Sequence, residues 1–402
     1  MRSGEYVKQP GDFRAFIPAP LPPNPPVAMD AELTRLLSEA DRSLGRLDGI
    51  GSVLPNPDLF VAMYVRQEAV LSSQIEGTQS TLEDVLQFEV DAKGADLPKD
   101  VEEVVNYVGA MNYGLRRLEE LPLSLRLIRE IHSELLKGVR GQNRTPGEFR
   151  KTQNWIGPAG AHLSSATFVP PPVPRMHEAL DKFEKFLHDD SLPVLINTAL
   201  AHAQFETIHP FLDGNGRVGR LLITFLLCQR KVMHRPLLYL SHYFRAHRAE
   251  YYDRLMAIRN DGNWEGWLKF FLRGVEEVSG QSIETARRIF ALRDEEAKII
   301  TGKMGNTAGG ALRLLDYLYA QPITNVRAVE RHLGLSFVTA SKLVEQFVKL
   351  EILKETTGGQ RNRRYAYSRY LDLFESSAKK LDDQQAEVQT TGNEPSVNES
   401  IQ

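Results

Sequence analysis

The chain has 402 residues, 42% of them hydrophobic and 25% charged, which suits two or three globular domains and excludes a largely disordered chain. Its net charge of -3 gives no global attraction to nucleic acid or anionic membrane, so any such affinity must come from a local patch. A single cysteine, Cys228 in an apolar run, excludes an internal disulfide and reads as core packing; with no signal peptide and no apolar run long enough to cross a bilayer, the expected location is the cytoplasm.

Residues 1 to about 27 carry Pro18, Pro20, Pro22, Pro23, Pro25 and Pro26 and are expected to be extended. Phe13, Phe16, Ile17 and Leu21 give this arm an apolar side to pack on its own helical domain, which is favoured over service as a ligand for proline-binding modules. Helical spacing then predicts helices near 30–46 and 57–73, the second bearing Phe60, Met63, Tyr64, Val70 and Leu71. It runs into Ser72-Ser-Gln-Ile-Glu76-Gly77, where Gly77 suits a left-handed C-cap and Thr78 or Ser80 caps the next helix, Ser80 and Glu83 having capping-box spacing. Glu76 sits at the wrong end of the helix dipole and should destabilise it unless a cation is near. It needs an arginine, or else is simply a solvated glutamate.

Helices near 100–118 and 124–138 precede the polar stretch Gly141–Arg150. After it, Ala166-Thr-Phe-Val-Pro-Pro-Pro-Val173 joins a β-prone run to three prolines and predicts a small exposed hairpin or edge. Helices near 175–188 and 192–208 lead into His209-Pro-Phe-Leu-Asp213-Gly-Asn215-Gly-Arg217-Val-Gly-Arg220, and a helix at 217–230 follows. Here Gly214, Asn215 and Gly216 fall at a helix start, where unpaired N–H groups and the positive dipole end favour an anion and glycine allows close approach. Asp213 offers a hard oxygen suited to Mg²⁺ rather than zinc. Arg217 and Arg220 lie three apart on one helix side and can fork onto phosphates, and His209 has the pKa of a base for a hydroxyl proton.

Further on, Tyr243, Phe244, Tyr251 and Tyr252 at helical spacing read as core, as do Trp264, Trp267, Phe270, Phe271 and Leu272. A helix near 274–300 and a linker, Gly302–Gly310, precede a change of character. Helices at 311–319, 325–333 and 337–350 followed by a hairpin through Gly358 to Tyr367 look like a winged helix. Its wing-tip Arg361, Arg363 and Arg364 would suit DNA, but the recognition-helix residues Ser336, Thr339, Ser341, Lys342, Glu345 and Gln346 are not strongly basic, which favours docking or a structural role over DNA binding by 311–370. Residues from about 374 onward are polar and expected to be disordered.

The 209–220 run resembles the signature of the Fic (Fic/Doc) family, His-Pro-Phe-x-(Asp/Glu)-Gly-Asn-Gly-Arg-x-x-Arg, without departure. Ser72-x-x-x-Glu76-Gly77 is similar to the inhibitory motif of its self-inhibited members, and its position before the core marks the class with an N-terminal inhibitory helix. Pro146-Gly-Glu-Phe-Arg150 and Asn154-Trp-Ile-Gly157 resemble the family core as well. The resemblance implies a mainly α fold: a Fic helical bundle with a small β-hairpin flap, then a winged-helix domain. The expected division is 1–95 arm and inhibitory region, 96–300 Fic catalytic domain, 311–371 winged helix and 374–402 tail. It further implies transfer of AMP from Mg·ATP to a hydroxyl of a target protein or of the chain itself, with His209 as base, Asp213 on the metal and Gly214, Asn215, Gly216, Arg217, Val218, Gly219 and Arg220 binding ATP. Glu76 would inhibit by pairing with Arg220, and the 166–173 flap would align the target by strand addition. Tyr251 or Asn260 is a candidate for the adenine slot. Removal of AMP, transfer of another phosphate-containing group, a DNA-binding regulator with a Fic sensor domain, and a homodimer all stay open. No membrane partner is expected.

Overall fold

The computed structural model describes residues 1–11, 13–53, 57–91, 97–139, 143–158, 160, 162–359 and 362–374, without the side chains of 52–60. The expected tail beyond Phe374 and the wing-tip Arg361 lie outside the described residues. The N-terminal arm is extended but also paired: β1 (Gly4–Gln9) and β2 (Phe13–Pro18) form an antiparallel hairpin with Gly4 opposite Pro18. Ala15 and Phe16 are buried, the Phe16 amide donates to the Val169 carbonyl at 2.9 Å and Gln204 Nε2 to the Ala19 carbonyl at 2.8 Å, so the arm packs on the helices as its apolar residues predict.

Helices α1 (Ala31–Val53), α2 (Pro57–Ile75) and α3 (Leu82–Val90) follow. The cap of α3 is Thr81, one residue later than expected, in a reciprocal capping box with Asp84; Ser80 instead donates to Asp100 Oδ1 at 2.5 Å. Next come α4 (Val101–Arg117), α5 (Leu125–Leu135), α6 (Val173–Leu187), α7 (Val194–Ile208), α8 (Asn215–Gln229), α9 (Ser241–Ala246), α10 (Arg248–Asp261) and α11 (Trp264–Lys303). Every residue of α7 from Leu195 to Ile208 is buried, as befits a helix without a polar face. α7 and α8 pack against each other, with α6 against α7 and α2, α4 and α5 against α8. The loop between α7 and α8 is thereby held at the centre of this unit.

The chain divides into two compact units, Met1–Ile283 and Glu284–Gln402. In the second, α12 (Ala308–Ala320), β3 (Ile323–Thr324), α13 (Val326–Leu333), α14 (Phe337–Lys349), β4 (Lys354–Glu355) and β5 (Tyr365–Ala366) build three helices and an antiparallel sheet of order β3-β5-β4. The expected linker at 302–310 is a correction: α11 runs to Lys303, a 3₁₀ turn spans Gly305–Thr307, and α12 starts at Ala308. Met304 and Ala311 are buried, and this anchoring overrides the helix-breaking glycines. The Tyr367 hydroxyl donates to the Glu296 carboxylate and lies 3.0 Å from the Tyr319 hydroxyl, at the core of this unit. Among the described residues no helix is long and apolar enough to cross a membrane.

Gly114 of α4 faces Phe225 of α8, and a Cβ there would overlap the buried ring. Gly114→Ala is expected to destabilise the protein by about 1–3 kcal/mol, and Phe225→Leu in the same chain to recover part of the loss. Thermal unfolding of the three variants against wild type checks both; a neutral Gly114→Ala refutes the close packing.

Candidate active site

His209 ends α7 in the left-handed region (φ 49°), uncommon for a non-glycine residue, with its N–H bonded to the Phe205 carbonyl at 2.9 Å. Two side chains hold that turn: Arg150 Nε donates to the His209 carbonyl at 3.1 Å and Asn154 Nδ2 to the same oxygen at 3.3 Å. The Arg150 amide also reaches the Pro210 carbonyl at 2.9 Å. Asn215 closes the loop on itself, its Oδ1 accepting from the Phe211 amide and its Nδ2 donating to the Phe211 carbonyl, both at 2.8 Å. His132 Nδ1 accepts from the Gly147 amide at 2.8 Å, so its Nε2–H donates to the Asp213 carbonyl at 3.0 Å, and its ring stacks on Phe211 with centroids 3.7 Å apart. Burial, chiefly, lowers the His132 pKa to about 4.

Gly214 (φ 76°) turns the chain into α8, where Val218 is the first residue whose N–H finds an intrahelical carbonyl, that of Gly214 at 3.0 Å. The amides of Asn215, Gly216 and Arg217 therefore precede the helix's own bonding, an arrangement that favours an anion. A carboxylate already lies over it: a Cβ on Gly216 would collide with Glu76 Oε1. Arg220 Nη2 donates to that same oxygen at 2.7 Å and to the Ser72 carbonyl at 3.0 Å, while Nε donates to Ser72 Oγ at 2.8 Å. Burial raises the Glu76 pKa, but Arg220 first and then Arg217 and His209 outweigh it, so Glu76 is held ionised below its usual range. Arg220 in turn is held charged, since Glu76, Tyr251, Glu206 and Tyr252 more than offset its burial. Arg217 has its own carboxylate, with Nη1 3.2 Å from Glu103 Oε2 and Nη2 3.6 Å from Asp213 Oδ1.

The His209 pKa falls to about 3, through burial first and then the charges of Arg259 and Arg150, against the opposing pull of Glu76 and the Glu206 carbonyl. Its imidazole is therefore neutral at physiological pH, and its Nδ1 is buried without a hydrogen bond of proper geometry. Behind it, Glu206 is buried with Oε1 unpartnered, and burial lifts its pKa to about 7 in spite of Arg220. Gly219 makes room for that carboxyl, since a Cβ there would strike Glu206 Oε1.

The site thus brings together His209, Asp213, Gly214, Gly216, Arg217, Arg220 and Glu76. Asn215 lends its amide to the helix start while its side chain locks the loop. Val218 offers neither amide nor side chain, being fully buried, and Gly219 serves packing against Glu206. Tyr251 is core rather than slot: it is buried, with its hydroxyl 2.9 Å from His202 Nε2. Asn260 accepts from the Tyr6 hydroxyl at 3.2 Å. The expected exposed hairpin at 166–173 is corrected as well. Phe168 and Val169 are buried, Phe168 bridges antiparallel to Ile156, and Val169 receives Phe16, so both edges are taken, while Arg150 Nη2 donates to the Pro171 carbonyl at 2.5 Å. Unforeseen from the sequence were Glu103, His132, Glu206 and Arg259, and the holding role of Arg150.

The fold and the site define a mainly helical protein with a helix terminus in its larger unit whose geometry favours an anion. Residues 34–116 match the model described as Fic/DOC family N-terminal and residues 122–227 the one described as Fic/DOC family, so the chain carries the paired domains of the Fic/DOC family. Protein adenylyltransferase Fic of Drosophila grimshawi is 30% identical over 205 residues, covering 50% of this chain and 38% of that relative, and the protein of the same name from Drosophila virilis matches with the same figures. The chain therefore aligns with well under half the length of these curated relatives. A solved Fic family protein from Desulfovibrio desulfuricans G20 shares the fold, with a TM-score of 0.54 at 20% identity over 85% of this chain and 97% of that one.

Glu206 carries a pH signature. Its folded pKa of about 7 lies above the ordinary glutamate value of 4.5, so the folded state binds the extra proton and stability falls as pH rises from about 4.5 to about 7. Glu206→Gln is expected to remove up to about 3 kcal/mol of that pH-dependent loss. Denaturant unfolding of both proteins at acid and mildly alkaline pH checks it; parallel stability curves refute the raised pKa.

Proposed function

We propose that this chain is a protein adenylyltransferase restrained by its own Glu76. The observation that carries the reading is the Glu76 carboxylate, bonded to Arg220 at 2.7 Å and seated over Gly216 where an anion would bind. The Drosophila relatives, protein adenylyltransferases by name, supply the reaction class. In this reading the amides at the start of α8, with Arg217 and Arg220, bind the phosphates of ATP, and neutral His209 takes the proton of a target hydroxyl. The hydroxyl oxygen bonds to the α-phosphorus as the bond to the β-phosphate bridging oxygen breaks, and pyrophosphate leaves with that electron pair. Magnesium, when bound, neutralises charge on the phosphate oxygens. Asp213 would hold it, since its side chain is 38% open and Mg²⁺ takes most of its other ligands from phosphates and water. Glu76 keeps Arg220 from the γ-phosphate, so ATP binds in a pose unsuited to attack.

We read residues 311–371 as a winged helix that docks a protein. Phe337 (44% exposed) and Val338 (62%) at the start of α14 favour this over DNA. Steeply salt-dependent binding of the full chain to duplex DNA would reverse it.

The decisive assay incubates wild type, Glu76→Gly and His209→Ala with Mg²⁺ and ATP labelled at the α- or the γ-phosphate. Protein labelled only from the α-position is expected, raised about tenfold or more in Glu76→Gly and lowered about 10²- to 10⁴-fold in His209→Ala. Label from the γ-position means phosphotransfer. Equal or lower labelling in Glu76→Gly removes the restraint, and release of AMP from a pre-modified target by wild type would give Glu76 a hydrolytic role.

A further inference from the structure

Arg259, in the last turn of α10, is almost fully buried (4% exposed), and its donors meet neutral acceptors, Nη1 lying 3.4 Å from Met256 Sδ. A buried guanidinium without a carboxylate is unfavourable unless its donors are well placed. Here they are: Nε donates to Thr207 Oγ1 at 3.2 Å and Nη2 to the Glu206 carbonyl at 3.1 Å, both in the final turn of α7, just before His209. The guanidinium carbon lies 3.9 Å from the centre of the Phe168 ring, a cation–π contact with the segment bridged to Ile156. One side chain thus joins α10, the end of α7 and the stem of the loop beside the site.

We propose that Arg259 is a positioning residue for His209, fixing the final turn of α7 against the Phe168 segment and presenting a permanent positive charge to the imidazole. The inference rests on His209 acting as the base. The charged groups facing His209 are Arg259 from α10, Arg150 from the loop after α5 and Glu76 from α2, with the Glu206 carbonyl from α7 itself. Of these, Arg259 lowers the imidazole's proton affinity most after burial. Arg259 itself faces Glu206, Tyr6 and Tyr251, and burial brings its pKa to about 10, so it stays charged at neutral pH. The geometry and the charge act together: the fork aims the turn, and the charge holds the ring neutral down to a lower pH.

Two substitutions separate these actions. Arg259→Gln removes the charge but keeps a donor, and Arg259→Lys keeps the charge but loses the fork. The histidine ring signals of ¹³C-labelled full chain, with His209 assigned by its loss in His209→Ala, are followed from about pH 8 down to about pH 3. Arg259→Gln is expected to move the His209 midpoint up by about one to three units, and Arg259→Lys to leave it low. Placed in Glu76→Gly, Arg259→Gln should shift the acid limb of AMP transfer upward in step, and Arg259→Lys should lower transfer about tenfold or more at every pH. A folded Arg259→Gln with an unmoved midpoint overturns the proposal, as does an Arg259→Lys with full transfer. Should Arg259→Gln not fold, Arg259→Lys decides alone: a low midpoint with reduced transfer supports the assignment, and a raised midpoint or undiminished transfer overturns it. Failure of Glu76→Gly itself to transfer AMP would refute the proposed function, while the ring titration would still decide whether Arg259 governs His209.

Discussion

The site is organised by one buried guanidinium and the helix end that satisfies it. Arg220, 2% exposed, spends its donors on Ser72 Oγ and the Ser72 carbonyl in the last turn of α2 and on Glu76 just past its end. That turn has carbonyls without intrahelical partners and the negative end of a dipole, while Arg220 lies near the positive end of α8. Glu76 and Arg220 are thus each on the unfavourable end of their own helix and on the favourable end of the other. The pairing makes the two termini complementary, and it places a carboxylate over the anion cradle as a direct consequence.

The same centre is unusual in what surrounds it. α7 has no solvent face, so its polar residues find partners inside or not at all: Asn197 has the Phe186 and Asp189 carbonyls, His202 the Gly219 carbonyl and the Tyr251 hydroxyl and Thr207 the Ala203 carbonyl, while Thr198 Oγ1 and Glu206 Oε1 have none. Burial of this kind disfavours ionised histidine, and His202 is brought to about 3 chiefly for that reason. Arg150 and Arg259, by contrast, are bound almost wholly by carbonyls, a hydroxyl and a ring. Neutral acceptors leave their charge uncancelled, so the neighbourhood of His209 combines a neutral imidazole with a positive potential.

Much of this was legible in the sequence wherever a residue contradicted its local setting. Glu76 at a helix C-terminus demanded a cation, and the cation is there. The 209–220 loop was legible because its chemistry is contiguous. Glu103 and Arg259 escaped for the opposite reason: a glutamate in the first turn of α4 and an arginine in the last turn of α10 already satisfy the dipole rule, and nothing in the string marks them as inward-facing. The glycines at 302–310 and prolines at 170–172 misled because local propensity was read without its tertiary counterweight: Met304 and Ala311 anchor the first stretch, and Phe16, Ile156 and Arg150 hold the second inside. The hairpin of the arm was missed because its register rests on pairing, which periodicity alone does not reveal.

Arg217 and Arg220 look equivalent in sequence but are held in physically different ways. The Glu103 partner of Arg217 has 7% of its side chain exposed, so breaking that pair would leave an uncompensated buried charge. Glu76, with 35% of its side chain open, faces solvent on one side. Exchange of its carboxylate for another anion on Arg220 would return one charge to water as it withdraws the other, with the two Ser72 bonds to the guanidinium independent of either. Arg217 is accordingly a fixed wall of the cradle and Arg220 its exchangeable side. A carboxylate held at the more open arginine could leave without dismantling the core, which is the physical condition that any reversible block at this helix terminus would have to meet.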